Sequence, residues 1–280
     1  MNERLGFSFL YFAPRITKAH ERWFGALREH GYACAELPVV AATPEELSWL
    51  RSCAEREGLA TTAVGFAVPE ANPVSPDAAV RAAAVEHLRG LCENAQALGA
   101  KVLAGPMHSA YGVWTEQPPT ERERDWCCEV LAAVAERAAE CGVTIALEPL
   151  NRFESYFLNT AADCNALVRA IGHANVVAAL DTHHAHLEEC DLATAIRSSR
   201  GSLGHVQLSE NHRGTPGSGQ VDFRAVLAAL EEIDYRGWLV VEAFSRHDPR
   251  FGSMLRIWRS LDEGPAAVMA AGASLVAVGN

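Results

Sequence analysis

The sequence predicts a single (β/α)8 TIM barrel spanning residues 1–280. Three observations carry that prediction. Eight short apolar runs alternate with longer amphipathic stretches from end to end, the rhythm of parallel strands joined by helical crossovers. The length suits one such barrel. No linker divides the chain, because the loosest stretch, "RGTPGSG" at 213–219, is too short to separate two domains. A doubly wound open sheet is the rival arrangement. It would usually carry a glycine-rich phosphate turn after its first strand, and "YFAPRITKAHE" at 11–21 has no glycine.

The predicted strands cover 5–12, 32–38, 60–66, 101–105, 143–148, 176–181, 203–209 and 238–244. Helices are expected near 17–30, 44–57, 76–99, 120–141, 160–171, 191–200 and 222–233, with a last one within 254–278. The helix starts carry their own chemistry. Thr43, Pro44 and Glu46 form a capping box with proline at the first helical position, and Thr120 with Glu123 repeats the box. Ser75 and Pro76 offer the same pair of roles for the third helix. Gly31, Gly58, Gly99, Gly142 and Gly172 mark helix ends as left-handed caps. The tail "GPAAVMAAGASLVAVGN" at 264–280 is too apolar to stand free in water. It is expected to supply the eighth barrel helix, and a subunit interface there stays open.

The chain is 49% hydrophobic and 21% charged, with a formal net charge of −11. That is globular composition without a basic stripe, which disfavours a nucleic-acid partner. No apolar run is long enough to span a membrane. The N-terminus lacks the basic head, long apolar middle and small-residue cleavage site of a signal peptide. Eight cysteines include no CxxC pair and sit mostly in alanine-rich helical stretches. They read as small buried hydrophobes of a reduced, cytoplasmic protein.

The chemistry collects at strand ends. Strand five runs into Glu148, strand six ends at Asp181, strand seven carries Gln207 near its end, and strand eight carries Glu242. In a barrel these ends open on one face, where active sites are built. Thr144 and Ala146 share the inward face with Glu148, and Val177 and Ala179 share it with Asp181, which leaves room above small residues. Any one acid could be a loop residue or a helix cap. Together, like charges about 4 Å apart cost roughly 4 kcal/mol at an effective dielectric near 20. A divalent cation removes that penalty. Three carboxylates and an amide suit Mg²⁺, Mn²⁺ or Co²⁺ better than zinc or copper.

At these residues a resemblance enters. "LEPLNRFESYFLNT" (147–160), "LDTHHAHLEE" (180–189), "HVQLSENHRGTPGSGQVDF" (205–223) and "EAF" (242–244) resemble the xylose-isomerase-like sugar isomerases and epimerases. The nearest likeness is to the ketose 3-epimerases of the D-tagatose and D-psicose group. The resemblance implies metal ligands at Glu148, Asp181, Gln207 and Glu242, with Mn²⁺ the foremost cation. It implies acid/base carboxylates at Glu148 and Glu242, and sugar contacts from Glu154, His184 and Arg213. It also implies a homodimer or homotetramer. One position departs: the ketose 3-epimerases usually have histidine where this chain has Gln207, and glutamine there is reminiscent of hydroxypyruvate isomerases.

The implied reaction inverts carbon 3 of a 2-ketose through an enediolate, with one glutamate removing the proton and the other returning one to the opposite face. A hydroxypyruvate- or inosose-type aldose–ketose isomerase would use the same parts and is the alternative. Glu154 would hold a substrate oxygen or orient Arg213. His183 and His186 compete with His184, and a histidine-rich turn can itself bind zinc, though the spacing is unlike a zinc-protease helix. His205, two residues before Gln207, reads as a donor to a metal ligand or as a satisfied core histidine. Trp114 would wall the sugar cavity or be an ordinary buried tryptophan. Arg213 alone is thin support for a phosphate, so an unphosphorylated sugar is favoured. Apurinic endonucleases share the architecture but use a multi-zinc cluster and a basic groove. A lyase or C-glycoside-cleaving role stays open on this scaffold. A non-enzymatic binding protein would not need three acids around one cation.

Overall fold

Short strands rich in small and β-branched residues, each followed by an amphipathic helix, close the sheet on itself. The computed structural model describes residues 2–277. Its strands are β1 (Leu5–Ser8), β2 (Cys34–Pro38), β3 (Ala60–Val64), β4 (Val102–Gly105), β5 (Thr144–Leu147), β6 (Val176–Asp181), β7 (Leu203–Ser209) and β8 (Leu239–Glu242). All pairings are parallel and in chain order, and β8 pairs back with β1. That closure is the barrel expected from the sequence and removes the open sheet. Among the described residues no helix is long and apolar enough to cross a membrane.

The outer ring is made by α1 (Arg22–Glu29), α2 (Pro44–Arg56), α3 (Ala78–Leu98), α4 (Glu121–Cys141), α5 (Ala161–Ile171), α6 (Thr182–Glu188), α7 (Leu192–Ser198), α8 (Phe223–Glu232), α9 (Pro249–Met254) and α10 (Pro265–Ala277). Both threonine capping boxes form, at Thr43 and Thr120, each of a kind worth about 1 kcal/mol. The α3 cap differs from expectation. Asp77, not Ser75, accepts the helix N–H of Ala79, while Ser75 accepts the N–H of Asp77. A charged acceptor two residues nearer the helix outcompetes the hydroxyl. The five glycines expected at helix ends all have positive φ, from 64° at Gly58 to 84° at Gly99.

Two further differences have physical causes. The first strand stops at Ser8, and Phe9–Tyr11 form a 3₁₀ turn. That run is apolar because Phe7, Phe9, Tyr11 and Phe12 pack on one another, with Phe24 and Tyr32 alongside. Burial against aromatic neighbours, not strand pairing, dictates its composition. Helices α6 and α9 are additional to the expected helices. At seven and six residues they are too short to show helical periodicity.

The main core lies between barrel and helices. A separate small cluster of Ala104, Ala146 and Ala179, flanked by Val102 and Val177, fills one side of the barrel interior. Ala146, Ala179 and Val177 are among the inward residues anticipated beneath Glu148 and Asp181; Ala104 and Val102 of β4 join them. The tail helix α10 lies on the barrel wall through buried Val268, Met269 and Val276. Gly272 is required there, since a Cβ would stand 2.5 Å from Tyr32 Oη and 2.6 Å from Val241 Cγ2. The expectation for 278–280 lies outside the described residues. Of the eight cysteines six are buried, Cys128 is half-buried and Cys190 is exposed, and all are free thiols.

Candidate active site

Four strands deliver the expected donors to one mouth. Glu148 is the first residue beyond β5. Its N–H donates to Gly105 O (3.2 Å), and its carbonyl accepts from His108 Nε2 (3.0 Å). Asp181 closes β6 opposite Gln207 on β7, and Glu242 closes β8 opposite Ser209. All four side chains are buried. Asp181 also caps α6, with Oδ1 accepting the N–H of His183 (2.7 Å). That short helix therefore starts on the acid and brings His184 over it.

Arg213 enters from the β7–α8 loop. Its Nη1 donates to Asp181 Oδ2 and to Glu242 Oε2, both at 2.6 Å, and its Cζ lies 4.8 Å from the Phe244 ring centroid. Its φ is +65°, a conformation a side-chain-bearing residue rarely adopts. Two backbone bonds hold it there: Arg213 N–H to Glu210 O (2.9 Å) and Phe244 N–H to Arg213 O (2.7 Å).

His184 Nε2 lies 3.5 Å from Glu148 Oε1, 3.8 Å from Asp181 Oδ2 and 2.8 Å from Arg213 Nη2. Its Nδ1 accepts the N–H of Asn151 (3.0 Å). Burial first, and Arg213 second, push its pKa down to about 3, so the ring is neutral at neutral pH. Burial likewise pushes His108 down to about 4. Neutral His108 accepts at Nδ1 from Ser109 Oγ (2.9 Å) and donates from Nε2 to Glu148.

The carboxyls divide into two kinds. Burial, reinforced by Glu242 and Asp181, raises Glu148 well above the usual carboxylate range. Burial also raises Glu242, against the pull of Arg213 and with the help of Asp181 and Glu36. Asp181 is held low, because Arg213, His184 and His183 together outweigh its burial. Glu154 is held low in the same way by His183, His184 and Arg213. It accepts from Asn151 Nδ2 (2.9 Å) and stands 3.9 Å from His183 Nε2.

The structure holds candidate cation sites that include two of the expected donors, Glu148 and Asp181, while Glu242 is in neither group. Glu148, Asp181 and His184 each bring one ligand atom within 4.8 Å of the others, as do Glu154, His183 and His184. Gln207 supplies the more telling sign. Its Nε2 donates to Glu36 Oε1 (3.0 Å) and Glu242 Oε1 (3.1 Å), and its Oε1 is buried without a partner. A buried amide oxygen lacking a donor beside three acids is what a cation would satisfy. The Asp181 and Glu242 oxygens that face Arg213 are the ones over which cation and guanidinium would compete.

Comparison with known proteins places this geometry. The family described as Xylose isomerase-like TIM barrel matches residues 24–264.

The chain belongs to that family.

Among its relatives, the L-ribulose 3-epimerase of Mesorhizobium japonicum is 34% identical over 257 residues, covering 91% of this chain and 86% of that one. The D-psicose 3-epimerase of Agrobacterium fabrum is 34% identical, covering 90% and 86%. The crystal structure of D-psicose 3-epimerase with D-tagatose from Clostridium cellulolyticum superposes with a TM-score of 0.89 at 26% identity, over 99% of this chain and 98% of that one.

In this xylose isomerase-like barrel a cavity of about 220 Å³ stands above the acids. Glu148, Glu154, His184, Arg213 and Glu242 line its polar end, and apolar side chains such as Val40, Val64, Phe66 and Phe251 line the rest. Tyr111 lines this cavity; Trp114, 53% exposed, lines an adjoining outer groove of about 540 Å³ instead. Trp114 is thus neither a wall of the inner cavity nor a buried core residue. His205 does not reach a candidate ligand. Its Nε2 lies 2.8 Å from Glu36 Oε2. No hydrogen bond joins Glu154 to Arg213 among the described residues; Glu154 is tied to Asn151 and His183.

Sequence reasoning missed Glu36, His108, Asn151 and Glu210. Glu36 carries the signal used elsewhere, an acid in the apolar run "YACAELP". Glu210 explains the glycine-rich loop. Its Oε1 accepts the N–H groups of Asn211, Gln220 and Val221, and its Oε2 that of Gly217. The stretch that read as loosest, 213–219, is tied to this buried carboxylate at Gly217 and flanked on both sides by residues bonded to it. His108 lies in a loop with no pattern to mark it.

Proposed function

We propose that this chain is a ketose 3-epimerase, inverting carbon 3 of an unphosphorylated 2-ketose by proton transfer between Glu148 and Glu242. The observation that carries the reading is the pairing of these carboxyls. Both are buried, both line the cavity, and they enter one mouth from strands β5 and β8. Such groups work as acid and base near neutral pH. One, ionised, takes the proton from carbon 3, and the other, protonated, returns a proton to the opposite face. The centre inverts without redox change.

Neutral His184 offers a donor that does not titrate with the acids, and Arg213 offers fixed N–H groups. Both would hold the substrate oxygens next to the reacting carbon. Glu154, kept ionised, accepts hydroxyl hydrogens. Glu148, Asp181, Gln207 and Glu242 would hold the cation, with Mn²⁺ first and Mg²⁺ or Co²⁺ as alternatives. When bound, the cation supplies positive charge beside the oxygens that become negative as the proton leaves. The apolar walls exclude water from the exposed carbanion. Among the described residues Arg213 is the only Lys or Arg lining the cavity, and it is already paired with two acids, which favours a sugar without phosphate.

Product analysis tests the reading. Ketohexoses and ketopentoses incubated with metal-stripped protein plus Mn²⁺, Mg²⁺ or Co²⁺ should yield carbon-3 epimers, and chelation should abolish turnover. An aldose as the sole product would favour the aldose–ketose isomerase reading instead.

A further inference from the structure

Glu36 is a buried carboxylate near the site that neither lines the cavity nor belongs to the expected cation set. It lies on β2, fully buried inside the barrel. Burying a carboxylate is costly unless its oxygens are satisfied. Here they are. His205 Nε2 lies 2.8 Å from Oε2, Thr62 Oγ1 donates to Oε2 at 3.3 Å, and Gln207 Nε2 donates to Oε1 at 3.0 Å.

The last bond has a consequence for the site. A primary amide can turn end for end with little change in shape, so a glutamine presents its oxygen reliably only if its NH₂ group is fixed. Gln207 has two N–H bonds to give, and both go to carboxylates: Glu36 Oε1 and, at 3.1 Å, Glu242 Oε1. Turned over, the amide would set its oxygen against two acids. In the observed arrangement Oε1 is left buried and without a donor.

We propose that Glu36 is a positioning residue that, with His205 and Thr62 behind it, locks the Gln207 amide so that its oxygen serves as the fourth cation donor. The proposal rests on the reading of Gln207 as a ligand. It gives His205 a role one step removed from the cation, and it names what lets an amide stand at this position.

The test is a double-mutant cycle on Mn²⁺ affinity, measured by calorimetry on metal-stripped protein, so that activity is not the readout. Glu36→Leu is expected to weaken Mn²⁺ binding by about 10- to 100-fold, as for other residues that orient a ligand. Gln207→Ala should weaken it comparably, and the double variant should be no weaker than Gln207→Ala alone. Glu36→Gln, whose carbonyl can accept the same N–H, should restore affinity to within a few fold. Should Glu36→Leu fail to fold, Glu36→Asp takes its place in the cycle. Its carboxylate falls short of Gln207 by about 1.5 Å and predicts the same loss. Losses that multiply in the double variant overturn the proposal alone, because Glu36 then acts without Gln207. An affinity that Glu36 variants leave within twofold also overturns it. Unchanged binding in Gln207→Ala overturns the ligand reading and the proposal with it.

Discussion

The guanidinium of Arg213 stands between Asp181 and Glu242, with one nitrogen 2.6 Å from an oxygen of each. All three groups are buried, so the pairing is little screened by solvent. Removing the cation half leaves two acids in a low-dielectric pocket. Arg213→Ala should cost the metal-free protein about 3–5 kcal/mol at neutral pH, read by urea denaturation. The loss should shrink as pH falls, because the acids then take protons. Mn²⁺ should stabilise the variant more than the parent, since it supplies the missing charge. Equal stabilisation of both would mean that cation and guanidinium do not share these oxygens.

His108 gives a pH dependence with a definite sign. Its pKa is lowered to about 4 by burial, whereas a histidine in the unfolded chain titrates near 6.5. The unfolded state therefore binds the proton first as pH falls, and stability is lost between about pH 6.5 and 4. The full effect is about 3 kcal/mol. His108→Gln, which can still donate to Glu148 O, should lack that component. Denaturation curves at pH 7 and pH 4.5 should show the parent losing more stability than the variant. Parallel losses would contradict the neutral assignment.

Glu210 pins the loop that carries Arg213. Four backbone N–H groups end on its carboxylate. Glu210→Gln keeps one acceptor oxygen and puts an NH₂ group where the other was. The loop should loosen, with KM rising about tenfold and kcat changing less, because in the proposed reaction Arg213 would position substrate and not carry the proton. Limited proteolysis should show new cleavage within 211–221. Unaltered KM with normal proteolysis would show that the loop holds Arg213 by other means.

Much of the fold was legible because each signal reports a local physical demand. Thr43 with Glu46, and Thr120 with Glu123, cap helices through their own side chains. The strand-end acids stood out because several adjacent apolar runs end in a carboxylate, where any one alone could be a helix cap, as Asp181 also is. What escaped needed contacts between distant segments. Glu36 shows the same signal as Glu148, but its meaning depends on Gln207, 171 residues away. The place of Trp114 outside the inner cavity was set by how the β4–α4 loop folds, and Tyr111 three residues earlier takes the inner position. Helices α6 and α9 were too short for a period to be counted. His205 is buried on β7, yet the sequence held nothing to say that its partner would be an acid on β2.

The central claim is that Glu148 and Glu242 work from opposite faces of one carbon. Turnover in heavy water, stopped after the first few per cent of conversion, tests it most directly. Two carboxyls acting in turn place solvent deuterium at carbon 3 of the product, while recovered substrate stays unlabelled. Product that keeps protium at carbon 3, or label confined to carbons 1 and 2, would contradict the account.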